Sequence, residues 1–247
     1  MLHHLDEVEL LESGPKNDRR FYMITERGRL VSNKDHGPVQ LVRAAYDEDA
    51  DELTLRFPDG REVTAPVGRG EVVETNFHRT ARSARLVEGP WAAELSVLAG
   101  TPLRIVEPEL PAPDRGRSGA ATLLATSSLD RLAAQLGLGR LDHRRFRMNF
   151  GIEGIGAHDE DAWRGRHVRV GEAVVIPQGH VGRCVITTQN PETGTTDVDT
   201  LKGIASYRST LDTTEPLPFG SHAAVAEPGR VRVGDPVELL GGTSGRG

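Results

Sequence analysis

The sequence predicts an α+β chain that is mainly β with a few helices. Two observations carry this. Short β-branched runs broken by glycine and proline turns fill most of the chain, and two copies of a Val-x-Val-Gly-acid pattern lie in its second half. Helical periodicity, by contrast, is confined to a few short stretches.

From the N-terminus, Pro38 to Tyr46 reads as β-rich. Glu52 to Phe57 and Arg61 to Val67 flank Pro58-Asp59-Gly60, which signals a hairpin. Pro90 to Leu98 reads as a short helix with proline in its first turn. Pro108 to Gly119 holds three prolines and two glycines, a composition that continues neither a helix nor an interior strand. It divides the chain into domains at 1–108 and 120–247, with a linker at 109–119. Beyond it, Leu123-Leu124 reads as a strand. Leu129, Leu132, Ala133 and Leu136 then recur on one helix face, with a Ser or Thr cap before them and Gly137 or Gly139 after. Gly151 to Gly156 reads as a turn. Asp159-Glu160-Asp161 opens a helical turn ending at Trp163, where its charge suits the helix dipole. The stretches from His167 to Val175 and from Arg230 to Glu238 each read as two strands joined at Gly-acid. Thr200 to Tyr207 reads as a short helix. The whole reads as a compact barrel with a few packed helices.

Composition excludes several classes. With 37% hydrophobic and 27% charged residues, the chain has the makeup of a globular protein. Aromatics are only 4% and the net charge is −6, so neither base stacking nor phosphate-backbone binding is expected. No stretch approaches the ~18 apolar residues of a membrane span, and no signal pattern opens the chain. A cytoplasmic setting is the default for one free thiol. No dinucleotide glycine motif, P-loop, Gly-x-Ser-x-Gly elbow or zinc spacing occurs, and no pyridoxal phosphate site is expected. His143, beside Arg144 and Arg145, reads as solvated or phosphate-facing.

Cys184 is the only cysteine. It forms no internal disulfide and no cysteine-rich metal site, which leaves a thiol that is inert or reactive. It sits at the start of a β-branched run, with Arg183 beside it and loops on both sides.

Arg183-Cys184, Thr187-Thr188 and Asn190-Pro191-Glu192-Thr193-Gly194 together resemble the core signature of MOSC domains. Phe146-Arg147-Met148-Asn149 resembles the family's Phe-Arg-x-Asn strand, and the Val231 to Val237 block closes the match. Asp18-Arg19-Arg20-Phe21, Gly28-Arg29-Leu30 and Pro38-Val39 are similar to the N-terminal β-barrel that accompanies MOSC in molybdenum enzymes. The resemblance implies a MOSC-type β-barrel at 120–247, preceded by a smaller barrel-like domain. Its functional relatives are the mitochondrial amidoxime reducing component and bacterial counterparts.

That resemblance implies a molybdenum cofactor, a molybdopterin, with Cys184 as the thiolate ligand to molybdenum. Arg183 would keep the thiol ionised. Arg19 and Arg147 would anchor the phosphate, and Asn149 would offer donor and acceptor to the pterin edge. Ser118 would supply a hydroxyl; Thr187 either contributes one or is simply a strand residue. A Tyr-Pro-Val-Lys-Ser-like first strand belongs to the family pattern, and the sequence opens at Met1-Leu2-His3-His4, downstream of it; a missing first strand is therefore the expectation. One cysteine cannot hold an iron–sulfur cluster, which usually takes four. The implied activity is reduction of N-hydroxylated small molecules (hydroxylamines, amidoximes, N-hydroxylated bases), with electrons from an external ferredoxin or flavin reductase. A sulfur carrier with a persulfide on Cys184 is the alternative. A third reading is an inactive barrel that keeps Cys184 for packing.

Overall fold

The fold is that of a computed structural model, which describes residues 4–32, 34–77, 80–109 and 116–241. Strands β1 (Glu7–Leu11) and β2 (Gly14–Pro15) come first. They are followed by β3 (Tyr22–Thr25), β4 (Leu30–Val31), β5 (Arg43–Asp47), β6 (Glu52–Arg56), β7 (Glu62–Pro66), β8 (Gly68–Phe77) and β9 (Thr80–Glu88). Helix α1 (Trp91–Ala99) and β10 (Leu103–Pro108) complete this half. Then come β11 (Ala121–Ala125), α2 (Thr126–Gln135), β12 (Phe150–Ile152), β13 (Val168–Val170), β14 (Ala173–Gly182) and α3 (Thr200–Arg208). Strands β15 (Pro218–Glu227), β16 (Gly229–Arg232) and β17 (Val237–Leu239) end the described fold. The α+β, strand-dominated class is the one the sequence predicts.

The chain forms two compact units. Among the described residues, the first holds 19–109 with 189–196, and the second holds 4–18, 116–188 and 197–241. This membership differs from a single cut at 109–119 in two places. Residues 4–18 join the second unit because β1 pairs antiparallel with β16, Val8 opposite Val231, and Leu10 is fully buried in that unit's core. Residues 189–196 join the first, where the Gln40 amide donates to the Asn190 carbonyl at 3.1 Å. Residues 110–115 of the expected linker lie outside the described residues.

In the first unit, a sheet ordered β4-β3-β10-β9-β8 accompanies the meander β5-β6-β7. The predicted turn at 58–60 joins β6 to β7: Phe57 N–H donates to the Arg61 carbonyl at 2.9 Å, and Gly60 takes a φ of 87°. Trp91, fully buried at the start of α1, packs with Leu53, Leu55 and Ile105 and donates from its indole to the Val63 carbonyl at 3.1 Å. The stretch read as β-rich from Pro38 opens instead with a 3-10 turn over Gly37–Leu41, since Pro38 sits in its first positions and has no N–H for a ladder.

In the second unit, the sheet order is β12-β11-β15-β14-β13-β17, with β16-β1-β2 beside it. The hairpin predicted at Gly171-Glu172 forms between β13 and β14, with Gly171 at a φ of 59°. Its sequence twin does not form one. Strand β16 pairs with β1 and β17 pairs with β13, so Val233–Pro236 is a corner between two sheets. The Asp235 carboxylate fixes that corner by accepting from Arg232 N–H at 2.8 Å.

Helix α2 buries Leu129, Leu132 and Ala133 as its periodicity requires, and Gly137 beyond its end takes a φ of 70°. Its N-cap is Ala125 rather than a hydroxyl residue, and Glu160 supplies the missing acceptor, taking Ala125 N–H at 3.3 Å. Helix α3 is capped by Asp199, which accepts from Lys202 N–H at 3.0 Å. Asp159–Trp163 is a 3-10 turn, as expected. The strand that the resemblance implies over Phe146–Asn149 does not form, and the β-branched run after Cys184 is not a strand. His143–Phe146 is a 3-10 turn ending at Arg147 in the left-handed region, and Val185–Thr188 is another 3-10 turn. Gly151 and Ile152, read as turn, belong to β12.

Candidate functional site

The polypeptide around Cys184 is held on every side by hydrogen bonds, yet the thiol itself is exposed. The neighbouring Arg183 is buried, and its guanidinium reaches two other segments. Nε donates to the Phe219 carbonyl at 2.8 Å, as does Nη2. Nη1 donates to the Phe146 carbonyl at 2.9 Å, and Nη2 lies 2.9 Å from the Met148 sulfur. The guanidinium also lies over the Phe146 ring. Arg183 therefore clamps the Cys184 loop to the Phe146–Asn149 block and to β15. A lysine, with a single ammonium, lacks the planar fork for this.

On the other side of the thiol, Thr187 is buried in a 3-10 turn. Its hydroxyl donates to the Cys184 carbonyl at 3.1 Å and pairs with Thr200 at 2.7 Å. Thr188 donates to the Val185 carbonyl at 2.7 Å. Arg145 lies behind the turn, making a two-pronged pair with Asp197 at 2.7 and 2.8 Å and reaching the Thr188 carbonyl at 3.3 Å. The 183–188 loop is thus a rigid mount that presents one sulfur to solvent.

Arg147 follows the Phe146 anchor with a φ of 53°, a conformation held by its N–H donating to the Arg144 carbonyl at 3.3 Å. That kink carries the chain to Asn149, which is exposed. Its carboxamide oxygen accepts from Thr122 at 2.9 Å, and its N–H donates to the same Thr122 oxygen at 2.8 Å. Thr122 lies opposite His222 across β11 and β15, and Gly179 lies opposite His222 across β14. His222 Nδ1 is 2.8 Å from the Ser118 carbonyl. Asn149 and Ser118, two residues named from sequence, thus converge on a row of strand residues that the sequence did not mark. Arg19, the remaining one, is exposed in the first unit at a φ of 54°.

Behind Phe219 lies a buried polar group. His158 packs edge-on against Phe219 and beside Tyr207, with ring centroids 5.5 and 5.7 Å away. Burial pushes its imidazole down to about 4, and the Arg208 charge adds to this. Glu160 is fully inaccessible, and burial raises its carboxyl to about 6. Arg208 donates to the Pro218 carbonyl at 2.6 Å and to Asp161 at 2.7 Å, fixing the start of β15. His143 faces His4, with Nε2 atoms 3.0 Å apart. Among the described residues, no group of three or more His, Cys, Asp and Glu side chains is placed to hold a metal ion. No helix among them is long and apolar enough to cross a membrane.

The MOSC domain pattern matches residues 114–238, and the MOSC N-terminal beta barrel domain pattern matches residues 3–94. The chain belongs to the MOSC domain family. Over 94% of its length, this MOSC chain is 27% identical to mitochondrial amidoxime-reducing component 1 of Mus musculus, covering 74% of that protein. It is equally similar to the Homo sapiens component 1, of which it covers 75%. Mitochondrial amidoxime reducing component 2 of Bos taurus is 26% identical over 92% of the chain and 74% of its own length.

Thr122, Gly179, His222 and the Arg145–Asp197 pair escape sequence reading because strand register and loop packing bring them together. Of the residues missed, only Asp199 left a sequence signal, an acidic cap immediately before a helical stretch.

Proposed function

We propose that this MOSC chain holds a molybdenum cofactor through Cys184 and reduces N-hydroxylated small molecules, drawing electrons from an external ferredoxin or flavin reductase. The observation that carries this reading is the exposed Cys184 sulfur on a mount that Arg183 ties to the Phe146–Asn149 block. The donor set fits such a cofactor. With one exposed thiol and no three-residue cluster among the described residues, a metal here must bring most of its own ligands, as a dithiolene does. When bound, the cofactor supplies a two-electron centre at a soft sulfur ligand. Cys184 offers the protein's sulfur, while Asn149, oriented by Thr122, offers polar contacts to a pterin edge. Arg147 offers a cation for phosphate, and the Ser118 hydroxyl lies in the turn bound to His222. Thr187 acts through its backbone partner, holding the Cys184 carbonyl. A cytoplasmic setting, the default for a lone free thiol, goes with this reading.

The test is molybdenum stoichiometry by elemental mass spectrometry on protein from a cofactor-competent host, with Cys184→Ser beside it. Near one molybdenum per chain, lost in the variant, together with turnover of an aromatic amidoxime, is the expected result. Metal-free protein whose exposed Cys184 carries transferable sulfane sulfur would instead favour the sulfur-carrier reading.

A further inference from the structure

We propose that His158, Glu160, Asp161 and Tyr207 line a buried water site, where ordered water bridges polar atoms that the polypeptide leaves unbonded. The site is separate from the Cys184 mount, and the inference does not depend on the cofactor reading.

Each of the four side chains is fixed through one group and keeps another unpaired. Glu160 is fully inaccessible, and its Oε1 accepts from Ala125 N–H at 3.3 Å and from the Ser128 hydroxyl at 3.4 Å. The Ser128 oxygen in turn accepts from His158 N–H at 2.8 Å. Asp161 Oδ2 accepts from Arg208 at 2.7 Å. The Tyr207 ring is held between the His158 ring, 5.7 Å away by centroids, and the Arg131 guanidinium at 4.7 Å. What remains is Glu160 Oε2, Asp161 Oδ1, both His158 ring nitrogens and the Tyr207 hydroxyl. All are buried, and none has a hydrogen-bond partner among the described residues. His180 Nε2 on β14 comes only to 3.5 Å of Asp161 Oδ1, too long for a good hydrogen bond.

These atoms lie together. His158, Glu160 and Asp161 belong to one turn, while Tyr207 adjoins the Arg208 that bonds Asp161, and its phenol feels both carboxylates. Buried polar atoms left without partners are costly, and folded proteins seldom tolerate them. Several at one place call for a shared occupant.

The chemistry of the unpaired atoms selects that occupant. The carboxylate oxygens need a donor. The imidazole, pushed down to about 4, is neutral at pH 7 and presents one donor and one acceptor. The tyrosine hydroxyl presents both. An anion would be repelled by Glu160 and Asp161. A metal ion finds no group of three ligands among the described residues and would face Arg131 and Arg208. An apolar group would leave every atom unpaired. Water, with two donors and two acceptors, matches the set, and buried water typically makes about three such bonds.

The experiment is a crystal structure of the full chain at atomic resolution, with Tyr207→Phe beside the wild type and thermal midpoints for both. Nuclear Overhauser peaks between water and the His158 and Tyr207 ring protons are measured on the wild type in solution. The expected map shows water bonded to the Tyr207 hydroxyl and to another of the unpaired atoms, with matching peaks in solution. Tyr207→Phe should lose that water and melt about 2–4 °C lower. A wild-type map without water at these atoms would overturn the proposal. Density that elemental or mass analysis assigns to an ion or an organic molecule would do the same. So would a Tyr207→Phe midpoint equal to or above the wild type, because deleting a hydroxyl that has no partner costs nothing. If the variant fails to fold, the wild-type map and the solution peaks decide.

Discussion

Arg183 and Cys184 are adjacent in sequence but have opposite environments, one buried and the other exposed. The arginine's three acceptors make it a fastener for the loop. Replacing it with lysine keeps the charge but gives up the fork, at a cost of about 2 kcal/mol. The expected readouts are a lower urea midpoint and faster reaction of Cys184 with a disulfide reagent, a clean signal because the chain has a single thiol. Equal thiol reactivity in both proteins would show that the clamp does not order the loop. Glu160 and His158 give the same unit opposing responses to pH. The Glu160 carboxyl is raised to about 6, so its contribution is fully present below its ordinary value and is lost as pH rises through 6. The His158 imidazole is pushed down to about 4, so the folded state resists protonation, and stability is lost as pH falls from the ordinary histidine range toward 4. Glu160→Gln should therefore leave stability rising with pH between 4 and 6.5. His158→Phe should leave it falling between 4.5 and 6, by about 2 kcal/mol. Urea unfolding of both variants across this range checks the signs, and parallel slopes would refute the assignment. Cys184, Arg147 and Asn149 could be named in advance because a family motif keeps them at fixed spacing. No spacing joins Thr122, Gly179 and His222, which meet only through strand register.

At the scale of elements, the sequence was most legible where one periodicity acts alone. Helix α2 shows its apolar face, and the 58–60 turn shows its glycine. It was least legible where a tertiary partner replaces a local signal. Ala125 is a poor cap in isolation, and α2 begins there because Glu160 reaches in from another element. The Val-x-Val-Gly-acid twins separate for a similar reason, since β16 and β17 each find a better partner in β1 and β13. Glycine in mid-helix carries information of the same tertiary kind. Gly203 lies in α3, where a Cβ would come within 2.9 Å of Leu132 on α2 and 2.8 Å of Leu136 at its C-cap. The close approach of the two helices explains a residue that local propensity disfavours by about 1 kcal/mol. Leucine tips can yield to a methyl group, so Gly203→Ala should be nearly neutral. Gly203→Val should cost about 2 kcal/mol through overpacking, read as a fall in thermal midpoint. A valine variant as stable as the alanine one would mean that the helices are not in contact there.

For the whole molecule, the consequence lies in which residues share a core. A cut at the proline-rich seam assigns residues 4–18 to the first half of the chain, because sequence order is all that composition can report. The structure gives them to the second unit through β1 and β16, and Leu10 is fully buried among Ala121, Val168, Val175 and Val231. Leu95, 2% exposed, packs in the first unit's core with Trp91 and Leu103. These two leucines therefore make a matched pair. Each truncation to alanine should cost about 3 kcal/mol through lost transfer energy and an incompletely closed cavity, but in different units. Amide hydrogen exchange on the full chain separates them. Leu10→Ala should release protection in β13, β14 and β16 while leaving β3 and β10 nearly unchanged, and Leu95→Ala should do the reverse. If Leu10→Ala instead loosened β3 and β10, the N-terminal strand would belong with the segment that follows it in sequence. A uniform loss across all strands would mean that the two units unfold as one.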